Sequence, residues 1–164
     1  MANQNIPIIK QTNWLAVIPQ LLFMILLVYI SYLLNFKDPI FTGCLIYLTL
    51  SFGSRKILIK DHNKGIALSK ELKFSEAIAY YEKSVIFFEQ HKWIDKYRCL
   101  TLFSASKISY HEMALNNIAF CYSQIGNGTK AKEYYNKTLT VFPNSVLAIT
   151  ALNMIDSIEN SKNV

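Results

Sequence analysis

Two long apolar stretches open the chain, and a short polar turn separates them. Residues 14–34 carry no charged side chain, and a helix of this length covers about 30 Å, the thickness of the hydrocarbon layer of a bilayer. Residues 40–53 are apolar again and end just before Arg55 and Lys56. The pattern predicts a transmembrane helix over 14–35 and a second over 39–57, which is short and is either a full span or a re-entrant segment.

A helical period follows, and it is clearest in residues 112–145. Two runs of apolar and small side chains recur there at the i, i+3, i+4, i+7 spacing of one helix face: Leu115, Ile118, Ala119 and Tyr122, then Ala131, Tyr134, Tyr135, Thr138 and Leu139. Gly126 and Gly128 separate the two runs, and Pro143 ends the second because it lacks a backbone donor. The segment therefore predicts two helices joined by a tight turn.

A weaker copy of the same pattern lies upstream, in residues 58–91. Its segment KFSEAIAYYEKSVIFF parallels NGTKAKEYYNKTLTVF of the later copy, and residues 92–111 form an insertion between the two. Ser109 and Glu112 have the spacing of a capping box, which predicts that the first helix of the later copy begins there.

The two ends of the chain are polar. Residues 1–13 predict a loosely held arm and residues 159–164 a tail. Between Pro143 and the tail, residues 146–158 predict a last helix. Its apolar side chains on one face would cover the end of the second copy: Leu147, Ala151, Met154, Ile155 and Ile158.

The helical pattern resembles a tetratricopeptide repeat. The positions of that repeat are held by Leu115, Ile118, Ala119, Tyr122, Gly126, Ala131, Tyr135, Thr138 and Pro143. The upstream copy is degenerate, with Asp61, Lys64 and Leu72 at pattern positions. The resemblance covers residues 58–158 and implies a short solenoid there, of two repeats and a capping helix. With the two apolar stretches, the whole prediction is an all-α fold: an N-terminal transmembrane helical hairpin followed by this solenoid.

The resemblance also implies a binding groove for a protein or peptide, lined by the first helix of each repeat. Its predicted lining in the second repeat is Met113, Asn116, Asn117, Phe120, Ser123 and Gln124, and in the first repeat it includes His62 and Ile66. An Asn amide can pair with a peptide backbone, and Phe120 offers an apolar anchor. The alternative is that these are solvated helix residues. A carboxylate clamp is not supported, because His62, Ile66, Leu147 and Ala151 occupy the positions of its Lys, Arg and Asn residues.

The insertion predicts a second surface built on Trp93, Tyr97 and Arg98, side chains of the kind enriched in interface anchors. Three interpretations are open: it packs into the solenoid as substitute core, lies on the membrane surface, or contacts a partner. The first is the preferred interpretation. Because two repeats and a capping helix are fewer than the usual three repeats, homo-oligomerisation is also expected.

The distribution of charge predicts how the chain is oriented in the membrane. The net charge is +6, and Arg55, Lys56, Lys60 and Lys64 crowd the exit of the second apolar stretch. By the positive-inside tendency, we expect a protein of the cell membrane whose C-terminal domain is cytoplasmic, and a two-pass protein if both apolar segments span. The same basic side chains favour contact with anionic lipid headgroups, by about 1 kcal/mol each, rather than with nucleic acid.

The sequence contains no phosphate loop, zinc pair or nucleophile elbow, so we expect no enzyme, cofactor or metal site. The three cysteines are expected to be buried free thiols. The preferred function is a membrane-anchored scaffold or adaptor. The alternative is a structural subunit of a membrane assembly, in which the hairpin makes the specific contacts.

Overall fold

The computed structural model describes residues 12–162, without the side chains of 159 and 162. After a 3-10 turn at Trp14–Ala16, its helices are α1 (Val17–Leu33), α2 (Pro39–Leu58), α3 (Lys60–Lys70), α4 (Phe74–Gln90), α5 (Lys92–Lys96), α6 (Arg98–Thr101), α7 (Tyr110–Gln124), α8 (Gly128–Val141) and α9 (Val146–Lys162). No β-strand occurs in this part of the chain, so the all-α prediction is confirmed for it. Most of the predicted arm and the end of the tail lie outside the described residues.

Helices α1 and α2 form an antiparallel hairpin. The turn between them uses Asn35 in the left-handed region, with φ of 54°. A Cβ atom on Gly43 would lie 2.7 Å from the Cα of Val28, so the absence of a side chain at Gly43 is what lets the two helices approach this closely. Pro39 begins α2, where its missing N–H would be unsatisfied in any case.

Within residues 12–162, one helix is long and apolar enough to cross a bilayer: Trp14–Leu33. Ser31 is the one buried residue of that stretch, and its other residues are partly or fully exposed. Helix α2 is similar in length but carries Arg55 and Lys56 in its last turn. Two-pass topology and the cytoplasmic side therefore stay predictions.

The solenoid follows α2 with almost no linker, since Ile59 alone separates α2 from α3. Helices α3 and α4 pair, α7 packs against α4, and α8 packs against α7. The core contains Leu68, Tyr81, Val85, Leu115 and Ile118. Ala77, Ala119 and Ala131 are fully buried. Small side chains are therefore used at the helix crossings, as the repeat pattern predicts.

The last helix packs on a different face from the one predicted. Ala148, Ala151, Leu152 and Ile155 of α9 lie against Ala119, Ala131 and Tyr135. Ala151 and Ile155 were in the predicted face, but Met154 and Ile158 are exposed. The stripe that packs, 148, 151, 152 and 155, brings the small and fully buried Ala148 into the contact in place of the larger Met154 and Ile158. Lys132 of α8 and Asp156 of α9 form an ion pair at 2.8 Å.

The insertion packs between the hairpin and the solenoid. Ile94 and Leu102 are buried with Ile59 and Phe88, which forms a second core cluster. The substitute-core interpretation thus has a structural basis in Ile94 and Leu102. It is wrong for Trp93, which is exposed. Leu102 instead supplies the large, fully buried side chain.

Candidate protein-interaction surface

Helix α7 is fixed at its start by two capping groups. The Ser109 hydroxyl accepts a hydrogen bond of 3.0 Å from the Glu112 amide, as the capping box predicts. The Asp95 carboxylate accepts from the amides of Tyr110 and His111, each at 2.9 Å. Together these bonds satisfy three of the four amides that a helix N-terminus leaves free. Asp95 was missed in the sequence because it lies in the insertion, and no local pattern links it to α7.

One face of α7 is accessible along its length. Met113, Asn117 and Phe120 are partly exposed and Gln124 is exposed, at spacings of four, three and four residues. The Phe120 ring packs edge-on against Phe74 of α4, with centroids 6.0 Å apart. This contact limits the rotamers of Phe120, so an apolar anchor is held in place before any partner binds. The Ser123 hydroxyl donates to the Phe120 carbonyl at 2.7 Å but can still accept a hydrogen bond.

Asn116 does not belong to that face. It is 6% exposed, and its Nδ2 donates to the Glu112 carbonyl at 3.0 Å and to the Ser145 hydroxyl at 3.4 Å. Its Oδ1 is buried without a hydrogen-bond partner. The side chain therefore points toward the start of α9, and its amide is not offered to a peptide. Asn117, the next residue, is the amide that remains accessible.

His62 is also absent from the predicted groove. It is 2% exposed, with Nδ1 3.2 Å from the Ser84 hydroxyl and its ring edge-on to Tyr81 and Tyr110. Burial lowers the pKa of His62 to about 4, so the imidazole is neutral at pH 7. Ile66 is partly buried beside the first core cluster. His62 thus serves packing in the first repeat, and Ile66 remains as the groove residue predicted there.

The three residues of the second predicted surface differ in whether their side chains are accessible. Trp93 and Tyr97 are exposed, and Lys96 lies over the Tyr97 ring at 5.5 Å. Arg98 is instead committed to the insertion itself, because its guanidinium donates to the carbonyls of Asp95, Ser106 and Lys107 at 2.9, 3.0 and 2.7 Å. Arg98 therefore stabilises the loop that follows α6, and few of its N–H donors remain for a partner.

The four basic residues predicted to lie next to the membrane also differ in their contacts. Arg55 donates from Nε to the Leu102 carbonyl at 2.9 Å and from Nη2 to the Phe103 carbonyl. Lys56, Lys60 and Lys64 are exposed. Arg55 thus joins the hairpin to the insertion, whereas the three lysines remain available for anionic groups.

A cavity of about 550 Å³ lies where the ends of α4 and α8 meet the start of α7. Phe88, Phe142, Lys92, Asp95 and His111 contribute to its lining. His111 Nε2 is 3.5 Å from Glu89 Oε1. Burial lowers the pKa of His111, and the carboxylates of Glu89 and Asp95 partly oppose that shift. No three metal-ligating side chains cluster anywhere between residues 12 and 162.

Residues 114–145 match the family model of the tetratricopeptide repeat. The match begins inside α7 and covers the rest of that helix, α8 and the turn that follows α8, which is the segment with the strongest sequence pattern. No curated protein and no solved structure matches the chain.

Proposed function

We propose, from the tetratricopeptide repeat at residues 114–145, that the chain is a membrane-anchored protein-interaction module that acts as a scaffold or adaptor. Repeats of this kind typically bind protein or peptide partners and are typically non-catalytic. The observation that carries the proposal is the accessible face of α7, where Phe120 is held by Phe74 and the Asn117 amide lies one turn away.

The chemistry of this face suits an extended peptide. Asn117 and Gln124 each carry a donor and an acceptor that can pair with a peptide backbone, and Phe120 lies between them in the sequence with part of its ring exposed. Such a face binds by shape and a few polar contacts, without turnover. Anchoring in the bilayer would raise the effective concentration of a membrane partner to the order of millimolar, so weak contacts would suffice.

The alternative is a structural subunit whose hairpin makes the specific contacts. It is favoured by the hairpin's own surface, where large apolar side chains such as Ile25, Phe41 and Phe52 are exposed. A second copy of the chain would fit the same interpretation, because Met154 and Ile158 leave an apolar strip on α9 uncovered.

Affinity capture from mildly solubilised native membranes tests the proposal. The test variant is Asn117→Ala with Phe120→Ala, and the control removes an exposed Asn and an exposed apolar residue elsewhere, as Asn136→Ala with Ile86→Ala. A third variant, Asn117→Lys, places a charge on the face and leaves the Phe120 contact with Phe74 in place. Thermal unfolding of each variant shows whether it is folded.

We expect a partner to be recovered with the wild type and the control and lost with both α7 variants. Recovery of the same partners with all four proteins would reject the α7 face. Attention would then move to the hairpin, as the alternative requires.

A further inference from the structure

The insertion runs along the side of the hairpin. Helix α6 packs against α1, and the Phe103 ring lies 6.0 Å from Phe23 of α1 and 5.1 Å from Tyr47 of α2, measured between centroids. Phe23 is nine residues beyond Trp14, or about 14 Å along a helix. If α1 crosses a bilayer from Trp14, the Phe103 ring therefore reaches well into the hydrocarbon layer, whereas the loop at Ala105, whose carbonyl accepts from the Asn13 amide, lies at the edge of that layer.

The loop that follows α6 is irregular, yet most of its carbonyls accept hydrogen bonds from the protein. Arg55 donates hydrogen bonds to the carbonyls of Leu102 and Phe103, and Arg98 donates to the carbonyls of Ser106 and Lys107. The Ala105 carbonyl accepts from the Asn13 amide at 2.6 Å. Irregular backbone can lie in a water-poor layer when its polar groups are bonded within the protein.

The outer side of the insertion is aromatic and basic. Trp93, Tyr97 and Leu100 are 59%, 53% and 42% exposed. The nearby Lys92, Lys96 and Lys107 are also exposed. Trp and Tyr concentrate at membrane interfaces because their rings are apolar and their N–H or O–H groups remain hydrated, and lysines there attract anionic headgroups.

We propose that residues 92–107 form an interfacial segment, with Trp93, Tyr97 and Leu100 inserted among the lipid headgroups next to the hairpin. The occupant of this surface is an anionic lipid layer, because α6 packs against α1 of the proposed anchor and exposed lysines flank the aromatic side chains. The inference rests on the proposed membrane anchoring. It explains why Trp93 and Tyr97 are uncovered although the same segment buries Ile94 and Leu102.

The two tryptophans of the chain make the inference testable. The full chain with Trp14→Phe, in which Trp93 is the fluorophore, is reconstituted in vesicles of phosphatidylcholine and phosphatidylglycerol. A fraction of the lipid carries bromine either near the headgroup end or near the centre of its acyl chains. The chain with Trp93→Phe, in which Trp14 reports on the anchor, is the matched control.

We expect Trp93 emission to be blue-shifted and to be quenched more by shallow than by deep bromines. Vesicles of phosphatidylcholine alone, or the double variant Lys92→Gln with Lys96→Gln, should weaken that quenching. If Trp14 is quenched while Trp93 emits as a water-exposed indole, the inference is wrong, the anchor stands, and the surface is left for a protein partner. If neither tryptophan is quenched, the proposed anchoring fails, and this inference fails with it.

Discussion

The Asp95 carboxylate accepts a hydrogen bond of 2.9 Å from the backbone amide of Tyr110, so a residue of α5 caps α7, the helix in which the tetratricopeptide match begins. The same carboxylate also accepts a hydrogen bond from the His111 amide. The insertion thereby supplies a part that the repeat needs at its start. The face of α7 that we propose as the interaction surface depends on this cap.

Replacing Asp95 by Ala should lower the free energy of unfolding by about 2 kcal/mol, because two helix amides lose their acceptor in a buried site. Denaturant unfolding of the protein in detergent micelles measures the change. Hydrogen exchange should accelerate first at the amides of Tyr110 and His111. Glu71→Ala is the control, since Glu71 is an exposed partner of Lys73 and its loss should leave stability unchanged. Equal effects of the two substitutions would refute the capping role.

Leu102 and Trp93 differ sharply in burial although both are large apolar residues of the insertion. Leu102→Ala should destabilise the protein by about 3 kcal/mol, because it opens a cavity in a fully buried site. Trp93→Ala should leave thermal unfolding close to that of the wild type, since its ring is mostly exposed. The reverse order would mean that Trp93, and not Leu102, is the core residue of the insertion.

Stability should fall as the pH is lowered from about 6.5 to 4, and His62 is the main cause. Its pKa is lowered from 6.5 to about 4 by burial, so the unfolded chain binds a proton in this range that the folded protein does not. By linkage the loss approaches about 3 kcal/mol at the lower end. His111, whose pKa is also lowered, acts in the same direction.

Urea unfolding at a series of pH values provides the measurement for His62. His62→Gln should flatten the dependence on pH, whatever its effect on stability at pH 7. His91→Gln should retain the dependence, because His91 is only partly buried and stacks on Phe87 near the end of α4. A curve for His62→Gln that runs parallel to the wild-type curve would contradict the assignment.

Gly43 and Gly53 offer a matched pair within α2. A methyl group at Gly43 would meet the backbone of Val28 at 2.7 Å, whereas one at Gly53 would meet nothing within 4 Å. Gly43→Ala should therefore force the hairpin apart and destabilise it by about 2 kcal/mol, and Gly53→Ala should be neutral or slightly stabilising. Unfolding midpoints in mixed micelles compare the two. A neutral Gly43→Ala would show that the helices do not approach so closely.

The sequence predicted the parts of this fold that local spacing determines. The buried Ala119 and Ala131, the Ser109 cap and the apolar stretch at Trp14–Leu33 all follow from short-range patterns. Helix periodicity shows which residues share a face. It does not show which neighbour covers that face.

The predictions that failed concern residues whose surroundings are determined by a distant segment of the chain. Asn116 has the period of a groove residue, but Ser145 covers it. His62 has the same period, but Tyr81 and Tyr110 enclose it. Asp95 caps a helix that begins fifteen residues later along the chain, and Arg55 bonds to a loop 47 residues away. Each of these contacts is long-range, so a pattern confined to one helix carries no sign of it.

If the hairpin is anchored in a bilayer as proposed, the junction at Ile59 affects how the helices after it are placed relative to the membrane. A single residue joins α2 to α3, and Arg55 ties the same end of the hairpin to the insertion. A hairpin in a membrane tilts when the hydrocarbon layer is thinner than its apolar length. Because Ile59 and the Arg55 hydrogen bonds leave little freedom at the junction, the helices after α2 would tilt together with the hairpin. Bilayer thickness would then set the height at which the face of Asn117 and Phe120 meets its partner.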